Sequence, residues 1–388
     1  MRIAHIITRM ILGGAQENTL LTCEDLIRDF GDEVLLITGP PLGPEGSLLD
    51  RAKTHGVPTV VLPELRREIH LGRDWRSYRA IQHELRSFMP DVVHTHSGKA
   101  GFLGRVAATS VNVPAIIHTV HGAPFHNYQS RGARAVLRSC ERFAATRCDL
   151  LVGVADAMTE QMVASHVAPR EKFVTVYSGM EVEPLLDSGH LREEVRQRMG
   201  FKSRDVVIGK IARLFHLKGH EYVLSAAEQV IARHPQVRFL FVGDGMLDES
   251  LREQVHRRRL DSHVIFTGLV PPDEIPGMLA AMDIVVHASL REGLARVLPQ
   301  ALIAGKPVVS YDIDGAREVV LPDQTGYLLP PKSIEPMVAA FDELIRQPEL
   351  RERLGNEGRR RFTDQFRHDR MTLRLRELYE ELLASKRT

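Results

Sequence analysis

The chain has 388 residues, which is too long for one ordinary hydrophobic core and predicts two domains. Its 51 Lys and Arg against 50 Asp and Glu give a net charge of +1, so we expect no nucleic-acid partner, which would favour a strongly basic domain. Hydrophobic residues at 43% and charged residues at 26% exclude disorder, and three cysteines without paired spacing exclude a disulfide framework or a zinc site.

Short apolar runs rich in β-branched residues recur along the first half, each followed by a loop and then a helical pattern. Such non-alternating runs are typical of parallel strands that are covered on both faces. The predicted strands are 3–8, 33–38, 59–62, 92–96, 115–119, 150–154 and 173–177, and the clearest predicted helices are 16–30 and 75–88. The first half is therefore predicted to be an open βαβ sheet.

The same pattern restarts in the second half. Its predicted strands are 206–211, 238–242, 263–267, 284–287 and 307–310. A charged helical segment at 191–199 follows a Ser-Gly turn and marks the join between the halves. We predict an α/β fold of two Rossmann-like doubly wound domains at 1–185 and 186–365 that face a central cleft. A charged helical pattern runs from 350 to 383, and periodicity alone does not decide whether the C-terminal helix, 366–388, packs back on the first domain.

Loops at the carboxyl ends of parallel strands are the expected ligand sites of such domains. Gly13 and Gly14 lie between the first strand and its helix, where backbone amides can approach an anion, although a simple glycine turn explains them equally well. Arg213 and Lys218 follow the first strand of the second domain, and two cations in one such loop can neutralise a diphosphate.

The most informative segment runs from 289 to 309. It leaves a strand, passes through Glu292 and Gly293, enters a helix that carries Gln300, and reaches the next strand. Gly293 allows close approach of a ligand, and the helix start offers free amides at the positive end of the helix dipole. Glu292 and Gln300 have side chains that suit sugar hydroxyls.

Eight segments taken together resemble the retaining glycosyltransferases of family four, whose two Rossmann domains form the B-type glycosyltransferase fold. Each is a weak signal alone, but their order and spacing along nearly the whole chain are specific. They are Gly-Gly-Ala-Gln at 13–16, Val-His-Thr-His-Ser at 93–97, His-Thr-Val-His-Gly at 118–122, Val-Tyr-Ser-Gly-Met-Glu at 176–181, the loop with Arg213 and Lys218, Val-Gly-Asp-Gly at 242–245, Phe-Thr-Gly-Leu at 266–269, and the segment 289–309.

The resemblance implies roles for four residues at the reacting centre. Arg213 and Lys218 would bind the diphosphate of a nucleoside-diphosphate sugar and stabilise the leaving group. Glu292 would hold hydroxyls of the donor sugar, and His121 would lie close to that sugar. The implied donor-binding residues are Gly13, Gly14, Gly268, Leu269, Gly293, Leu294, Ala295 and Gln300, with Gly268 and Leu269 against the base and Gln300 at the ribose.

Two positions depart from the family pattern. The pattern has a second glutamate where this chain has Gln300, so one carboxylate is missing. The proline usually found shortly after the first glutamate is replaced by Ala295, and Pro299 stands further on. Proline in a first helical turn removes no hydrogen bond, so a helix start near Arg296 would accommodate it.

Two further patterns resemble metal sites. Asp312 and Asp314 form a D-x-D sequence, but the two-cation loop already supplies counter-charge, so we expect neither a metal nor another cofactor. His94 and His96 share one face of a strand. No further ligand with confirming spacing follows, which favours a hydrogen-bonded structural pair. Of His118 and His121, the second lies beside Gly122 and is the more plausible cleft residue.

Arg131, Arg134, Arg138 and Arg142 recur at helical spacing and form a basic stripe. A solvated helix face is the simpler interpretation, and contact with anionic lipid headgroups is the alternative. Because the chain shows no signal-peptide pattern and no 18-residue apolar run, we expect a cytoplasmic protein, with a peripheral position at the inner face of the membrane as the alternative.

The sequence thus favours a metal-independent retaining enzyme that moves a hexosyl unit from a nucleotide sugar, UDP-linked first and GDP-mannose next. The acceptor would be a glycan or lipid-linked hydroxyl in cell-envelope, lipopolysaccharide or exopolysaccharide synthesis. Two alternatives stay open at this point. One is a sugar-nucleotide epimerase on the same scaffold. The other is a catalytically silent sugar-nucleotide-binding subunit, which is suggested by Gln300 in place of the second glutamate of the family pattern.

Overall fold

The computed structural model describes residues 1–43, 46–126 and 128–386. Its contacts divide the chain into two compact units, of which the first comprises Met1–Met180 together with the segment from Phe366 onward, and the second comprises Glu181–Gln365. The boundary thus falls at 180/181 rather than after residue 185, and the chain re-enters the first unit at Phe366.

The first unit contains a parallel sheet of seven strands in the order β3-β2-β1-β4-β5-β6-β7. The strands are β1 (Arg2–Arg9), β2 (Glu33–Gly39), β3 (Thr59–Val61), β4 (Val92–His96), β5 (Ala115–Val120), β6 (Leu150–Gly153) and β7 (Phe173–Thr175). The helices are α1 (Gly14–Phe30), α2 (Leu49–Thr54), α3 (Leu71–Phe88), α4 (Gly98–Ser110), α5 (Arg131–Ala145), α6 (Asp156–Ala164) and the C-terminal α15 (His368–Ser385).

The C-terminal helix α15 packs against α1. The buried carboxylate of Asp25 on α1 accepts hydrogen bonds from His368 Nδ1 and Thr372 Oγ1, both at 2.8 Å. Met371 and Tyr379 of α15 join the hydrophobic core between α1 and the sheet. Burial of these apolar side chains, with a buried carboxylate that is hydrogen-bonded, holds the last helix in the first unit.

The second unit contains a parallel sheet of six strands in the order β10-β9-β8-β11-β12-β13. The strands are β8 (Val206–Ile211), β9 (Val237–Val242), β10 (Val264–Phe266), β11 (Ile284–His287), β12 (Val308–Tyr311) and β13 (Gly326–Leu329). The helices are α7 (Glu183–Leu186), α8 (Arg192–Arg198), α9 (His220–Arg233), α10 (Asp248–Arg257), α11 (Ile275–Ala281), α12 (Val297–Ile303), α13 (Glu335–Arg346) and α14 (Pro348–Phe362).

These elements confirm the predicted α/β class with two parallel sheets. Two details differ from the sequence prediction. The edge strand β13 was not predicted, because its sequence Gly-Tyr-Leu-Leu lacks the β-branched residues by which the other strands were recognised. The helical pattern from 350 to 383 consists of two helices, α14 and α15, which belong to different units. Among the described residues, no helix has the length and apolar character needed to cross a bilayer.

The first unit buries four histidines on its central strands. His5, His94, His96 and His118 are at most 3% exposed. Burial disfavours the charged imidazolium and lowers the pKa of each ring, to about 3 for His5. These rings are therefore neutral in the folded protein at neutral pH.

This burial predicts an acid-sensitive first unit. The pKa values of these histidines in the folded protein lie below the unfolded value of about 6.5. Below that pH the unfolded chain therefore binds protons that the folded chain does not bind. Stability is then fully present above about pH 6.5 and falls as the pH drops below it, by about 1.4 kcal/mol per histidine at pH 5.5. Between pH 7.5 and 5.5, the free energy of unfolding measured with urea should fall less in His118→Asn than in the wild type.

The exposed His83 offers the matched control, since its ring is in water in both states. His83→Asn should keep the full pH dependence of the wild type. Equal pH dependence in His118→Asn and His83→Asn would contradict burial of a neutral His118.

Candidate functional site

The second sheet reverses its strand order between β8 and β11, and ligands of open α/β sheets bind at the carboxyl ends of the strands at such a point. The loop after β8 carries Arg213 and Lys218. The loop after β11 carries Glu292. Residues 74 positions apart in the chain therefore meet at the predicted ligand-binding edge of the sheet.

The loop between β8 and α9 is fixed by its backbone. Leu214 is buried, its amide donates to Asp244 O at 2.9 Å, and the amide of Leu290 donates to Leu217 O at 2.8 Å. With Leu214 anchored inside, Arg213 is exposed and its guanidinium lies 5.3 Å from the ring centre of Phe215. Lys218 is partly buried near the end of the same loop.

Lys218 Nζ donates a hydrogen bond to Glu292 Oε1, and the two side chains form an ion pair that is about one-quarter exposed. His287 Nε2 lies 3.7 Å from the same carboxylate oxygen. Burial raises the pKa of the Glu292 carboxyl, but the Lys218 ammonium and His287 lower it by more, so that pKa lies well below its usual range. Glu292 is thus a carboxylate with a cation in direct contact.

The turn after β12 holds the Glu292 loop in place. Asp314 Oδ2 accepts a hydrogen bond from the Glu292 amide at 2.6 Å, and the Gly315 amide donates to Gly293 O at 2.9 Å. Asp312 forms a two-point ion pair with Arg317, with both distances at 3.0 Å. Both carboxylates of the D-x-D sequence therefore have partners within the protein, and that of Asp314 positions the loop.

The helix that carries Gln300 begins where the sequence predicted. α12 has Arg296 as its N-cap, and Pro299 lies in its first turn, where no hydrogen bond is lost. The segment Gly293, Leu294 and Ala295 leads directly into this helix. On the neighbouring side of the sheet, Gly268 O accepts from Gly243 N at 3.0 Å, and Leu269 is 50% exposed.

The sequence analysis missed Lys210 in β8. Its side chain is 1% exposed, and among the described residues Nζ has no hydrogen-bond partner. Burial and, to a smaller extent, the charge of Lys218 lower the pKa of Lys210 to about 7, while the carboxylates of Glu292 and Glu221 oppose the shift. A lysine within the apolar run Val-Val-Ile-Gly-Lys-Ile was the available signal.

The remaining predicted site residues belong to the first unit. Gly13 is the N-cap of α1 in an extended conformation, so Gly14 opens the helix that follows β1. His121 follows β5, and its Nε2 lies 3.1 Å from Nδ1 of His96. His94 has both ring nitrogens in hydrogen bonds, to Tyr379 OH and Thr119 Oγ1. The structure thus groups His121 with buried histidines, of which the sequence analysis overlooked His5.

Comparison with protein families gives two matches that together span most of the chain. Residues 13–179 match the model described as a glycosyl transferase 4-like domain, and residues 192–361 match that of glycosyl transferases group 1. The chain belongs to glycosyltransferase family four and has the B-type glycosyltransferase fold.

The named relatives match most or all of the chain. A UDP-Gal:alpha-D-GlcNAc-diphosphoundecaprenol alpha-1,3-galactosyltransferase of Escherichia coli is 26% identical over 100% of this chain and 98% of that protein. A GDP-mannose-dependent alpha-mannosyltransferase of Mycobacterium tuberculosis is 28% identical over 81% of this chain and 79% of that protein. Anabaena HepE in complex with UDP-glucose has a TM-score of 0.81 at 21% identity, covering 98% of this chain and all of that one.

The geometry of the Lys218 loop predicts that a side chain at Gly219 destabilises the fold. Gly219 has φ +70°, and a Cβ there would lie 2.0 Å from Ala288 O, which is backbone. Gly219→Ala should therefore lower the free energy of unfolding by about 3 kcal/mol or more, measured by urea denaturation.

Gly200→Ala is the matched control, because Gly200 has a similar φ of +75° and nothing within 4 Å of its Cβ position. It should cost only the conformational penalty of about 1–2 kcal/mol. Equal losses in the two variants would show that the backbone contact at Ala288 does not constrain this loop.

Proposed function

We propose that the protein is a metal-independent retaining glycosyltransferase that moves a hexosyl unit from a nucleoside-diphosphate sugar to an acceptor hydroxyl. The observation that carries the proposal is the meeting of Lys218 and Glu292 at the strand-order reversal, next to the exposed Arg213. A diphosphate needs cations and a sugar needs a hydrogen-bond acceptor, and this edge of the sheet offers both.

The leaving group sets the electrostatic requirement. As the bond between the sugar and the diphosphate breaks, negative charge develops on the phosphate oxygens, and preorganised cations lower the barrier most at that moment. Arg213 and Lys218 would supply this charge, with amides at Gly293 to Ala295. When the diphosphate takes Lys218 as partner, Glu292 is released to accept hydrogen bonds from the donor sugar.

Retention of configuration fits a same-face substitution. The bond from the sugar carbon to the phosphate oxygen breaks, the acceptor oxygen forms its bond on the same face, and the departing phosphate takes the proton of the acceptor hydroxyl. Glu292 is held in an ion pair with Lys218, which favours a hydroxyl-binding role over that of a covalent nucleophile. His121, from the first unit, would lie close to the donor sugar.

The donor assignment rests on the relatives. The relative matched over the whole chain is named for UDP-galactose, and HepE is described with UDP-glucose, which favours a UDP-sugar. The mannosyltransferase named for GDP-mannose makes that donor the second choice. The acceptor of the galactosyltransferase is a lipid-linked diphosphate sugar, which supports a glycan or lipid-linked acceptor in cell-envelope polysaccharide or lipopolysaccharide synthesis.

The test is incubation of the purified protein with radiolabelled UDP- and GDP-sugars and a membrane extract that supplies acceptors. Label transferred to an acceptor supports the proposal, whereas an epimerised donor or donor binding alone would overturn it. Transfer should be equal with and without EDTA, because Asp312 pairs with Arg317 and Asp314 with the Glu292 amide. Loss of transfer in EDTA, restored by manganese, would refute metal independence.

Lys218→Ala should reduce turnover about a hundredfold, because one charge-assisted contact to a developing phosphate charge contributes about 3 kcal/mol to transition-state stabilisation. The measurement is kcat with the donor that the screen identifies. Lys202→Ala is the control, since Lys202 is an exposed lysine of the same unit outside both loops. Near wild-type kcat in Lys218→Ala would remove Lys218 from the diphosphate site.

Gln300→Glu should lower the donor KM by a few-fold with little change in kcat. Hydrogen bonds to a charged acceptor contribute about 1.5–3 kcal/mol and neutral ones about 0.5–1.5 kcal/mol, while repulsion from the donor phosphates offsets part of this gain. Because contacts to the ribose are similar in the ground and transition states, kcat should change little. If Gln300→Glu and Gln300→Ala both keep the wild-type KM, residue 300 does not meet the ribose.

We further propose that α5 attaches the protein to anionic membranes, where a lipid-linked acceptor would reside. Arg131 and Arg142 are exposed on this helix, whereas Arg134 and Arg138 are partly buried. The apolar side chains of Val136 and Phe143 on the same helix are 62% and 45% exposed. Arg142 also donates from Nε to His166 O at 2.8 Å. Cations near an anionic surface contribute about 1 kcal/mol each, and apolar side chains can enter the headgroup layer.

Flotation with phosphatidylglycerol liposomes should recover the protein at low salt and release it at high salt, because screening acts over about 10 Å at 0.1 M. The variant with Gln in place of Arg131, Arg134, Arg138 and Arg142 should stay unbound. Binding that depends neither on phosphatidylglycerol content nor on these four residues would make the stripe a solvated face.

A further inference from the structure

The start of α3 exposes three large apolar side chains. Ile69, just before the helix, is 78% exposed, and Leu71 and Trp75 in its first turns are 86% and 62% exposed. Leu71 and Trp75 are four residues apart and therefore lie on one face of the helix. Single exposed apolar residues are common on protein surfaces, but three at one helix end point to a contact with another body.

The local sequence gives Ile69 no apolar partner on its own helix. It precedes the N-cap residue His70, a position from which an apolar side chain often packs on the fourth helical residue. That fourth residue is Asp74, whose carboxylate instead accepts hydrogen bonds from the His70 amide at 3.0 Å and from Lys99 Nζ at 2.6 Å. A charged group at this position keeps Ile69 on the outside.

Polar contacts hold this exposed segment in place. Lys99 on α4 donates hydrogen bonds to the carbonyl oxygen of Glu68 and to the carboxylate of Asp74. The backbone is therefore fixed on both sides of Ile69 and Leu71. Apolar surface in water is unfavourable, yet here the fold presents it on an anchored segment.

Cations surround these apolar side chains. Three arginines of the segment and of α3 are exposed and have no hydrogen-bond acceptor or ion-pair partner among the described residues. They are Arg67, Arg79 and Arg86. Arg79 and Arg86 follow Trp75 by four and eleven residues, so they lie on the same helix face as its ring.

The acidic side chains of the segment do not cancel this charge. Asp74 is paired with Lys99, and Glu64 is paired with Arg76 at 3.3 Å. Glu68 is exposed and offsets one of the three arginines. The surface therefore combines apolar side chains with a net positive charge, which is the pattern of helices that lie in a membrane interface.

We propose that Ile69, Leu71 and Trp75 enter the headgroup layer of an anionic membrane, with the three exposed arginines at the lipid phosphates. Tryptophan favours this layer because its ring is apolar and its N–H is polar. α3 packs on α4, which also packs on α5, so the two basic helices belong to one layer of the first unit. The inference rests on the proposed function, in which α5 meets the membrane, and adds the segment that inserts.

A second copy of this chain is the competing occupant. A stable protein interface buries about 800 Å² on each partner. One tryptophan buries at most about 250 Å², and Ile69 and Leu71 each add less, so the three side chains do not reach that area. A symmetric dimer would also bring the exposed arginines of both copies together. An anionic bilayer attracts these cations instead.

Trp75 is the single tryptophan of the chain, so its fluorescence reports directly on this surface. The test is titration of the purified protein with vesicles of phosphatidylglycerol and phosphatidylcholine in equal parts. The emission should move to shorter wavelength, and lipids that carry bromine on their acyl chains should quench it. Vesicles of phosphatidylcholine alone should produce neither effect at the same lipid concentration, because they do not attract the arginines.

Two variants separate the apolar and the charged contributions. Leu71→Ser should weaken vesicle binding about tenfold, since one apolar side chain no longer leaves water on binding. Arg79→Gln should weaken it about fivefold, the effect of one cation near an anionic surface. Both side chains are exposed, so neither change disturbs the core. Leu373→Ser is the matched control and should bind as the wild type does, because Leu373 is 47% exposed on α15, the helix that packs against α1.

Vesicle binding without quenching of Trp75 would assign the attachment to α5 alone and overturn the inference. Unchanged Trp75 emission with anionic vesicles, or equal binding by Leu71→Ser and the wild type, would overturn it as well. A shift that grows with protein concentration in the absence of lipid would identify a second copy as the occupant. None of these measurements needs a nucleotide sugar. Failure of the proposed function is therefore a separate result, which would appear as the absence of sugar transfer by the wild type.

Discussion

The candidate site of the second unit is built around the ion pair between Lys218 and Glu292. The two residues lie in loops after β8 and β11, which become neighbours only because the sheet reverses its strand order there. Asp314 holds the Glu292 loop through its backbone amide, and buried Leu214 anchors the Lys218 loop. Each charge satisfies the other in a partly desolvated place, where an unpaired charge would be costly. In the proposed reaction, a ligand that brings its own anion and hydroxyls would open this pair.

The unusual Lys210 adds to this electrostatic arrangement. Its side chain is buried in β8, the strand that leads into the Lys218 loop, and burial favours the neutral amine. Anionic phosphates nearby would favour the charged form instead. The proposed diphosphate site would therefore combine the exposed Arg213, the Lys218 that is paired with Glu292, and the buried Lys210 of the preceding strand.

The first unit buries neutral polar side chains in the middle of its sheet. Its histidines sit on the central strands β1, β4 and β5, where apolar residues are usual, and they satisfy one another and the hydroxyls of Thr95, Thr119 and Tyr379. Each of these rings has at least one hydrogen-bond partner, although Nε2 of His5 has none among the described residues, and these bonds favour one arrangement of the rings. Tyr379 comes from α15, so the last helix of the chain completes the polar core of the first unit.

The sequence by itself determined the α/β class, most strands, and the loops that carry Arg213, Lys218 and Glu292, because periodicity and the residues that follow a strand are local properties. It could not decide which strands are neighbours. Contacts such as His5 with His96, 91 residues apart, or Asp25 with Thr372, 347 residues apart, follow from strand order and from the return of the chain at Phe366. Only the tertiary structure sets these, since they depend on long-range packing of buried surfaces that a local pattern does not encode.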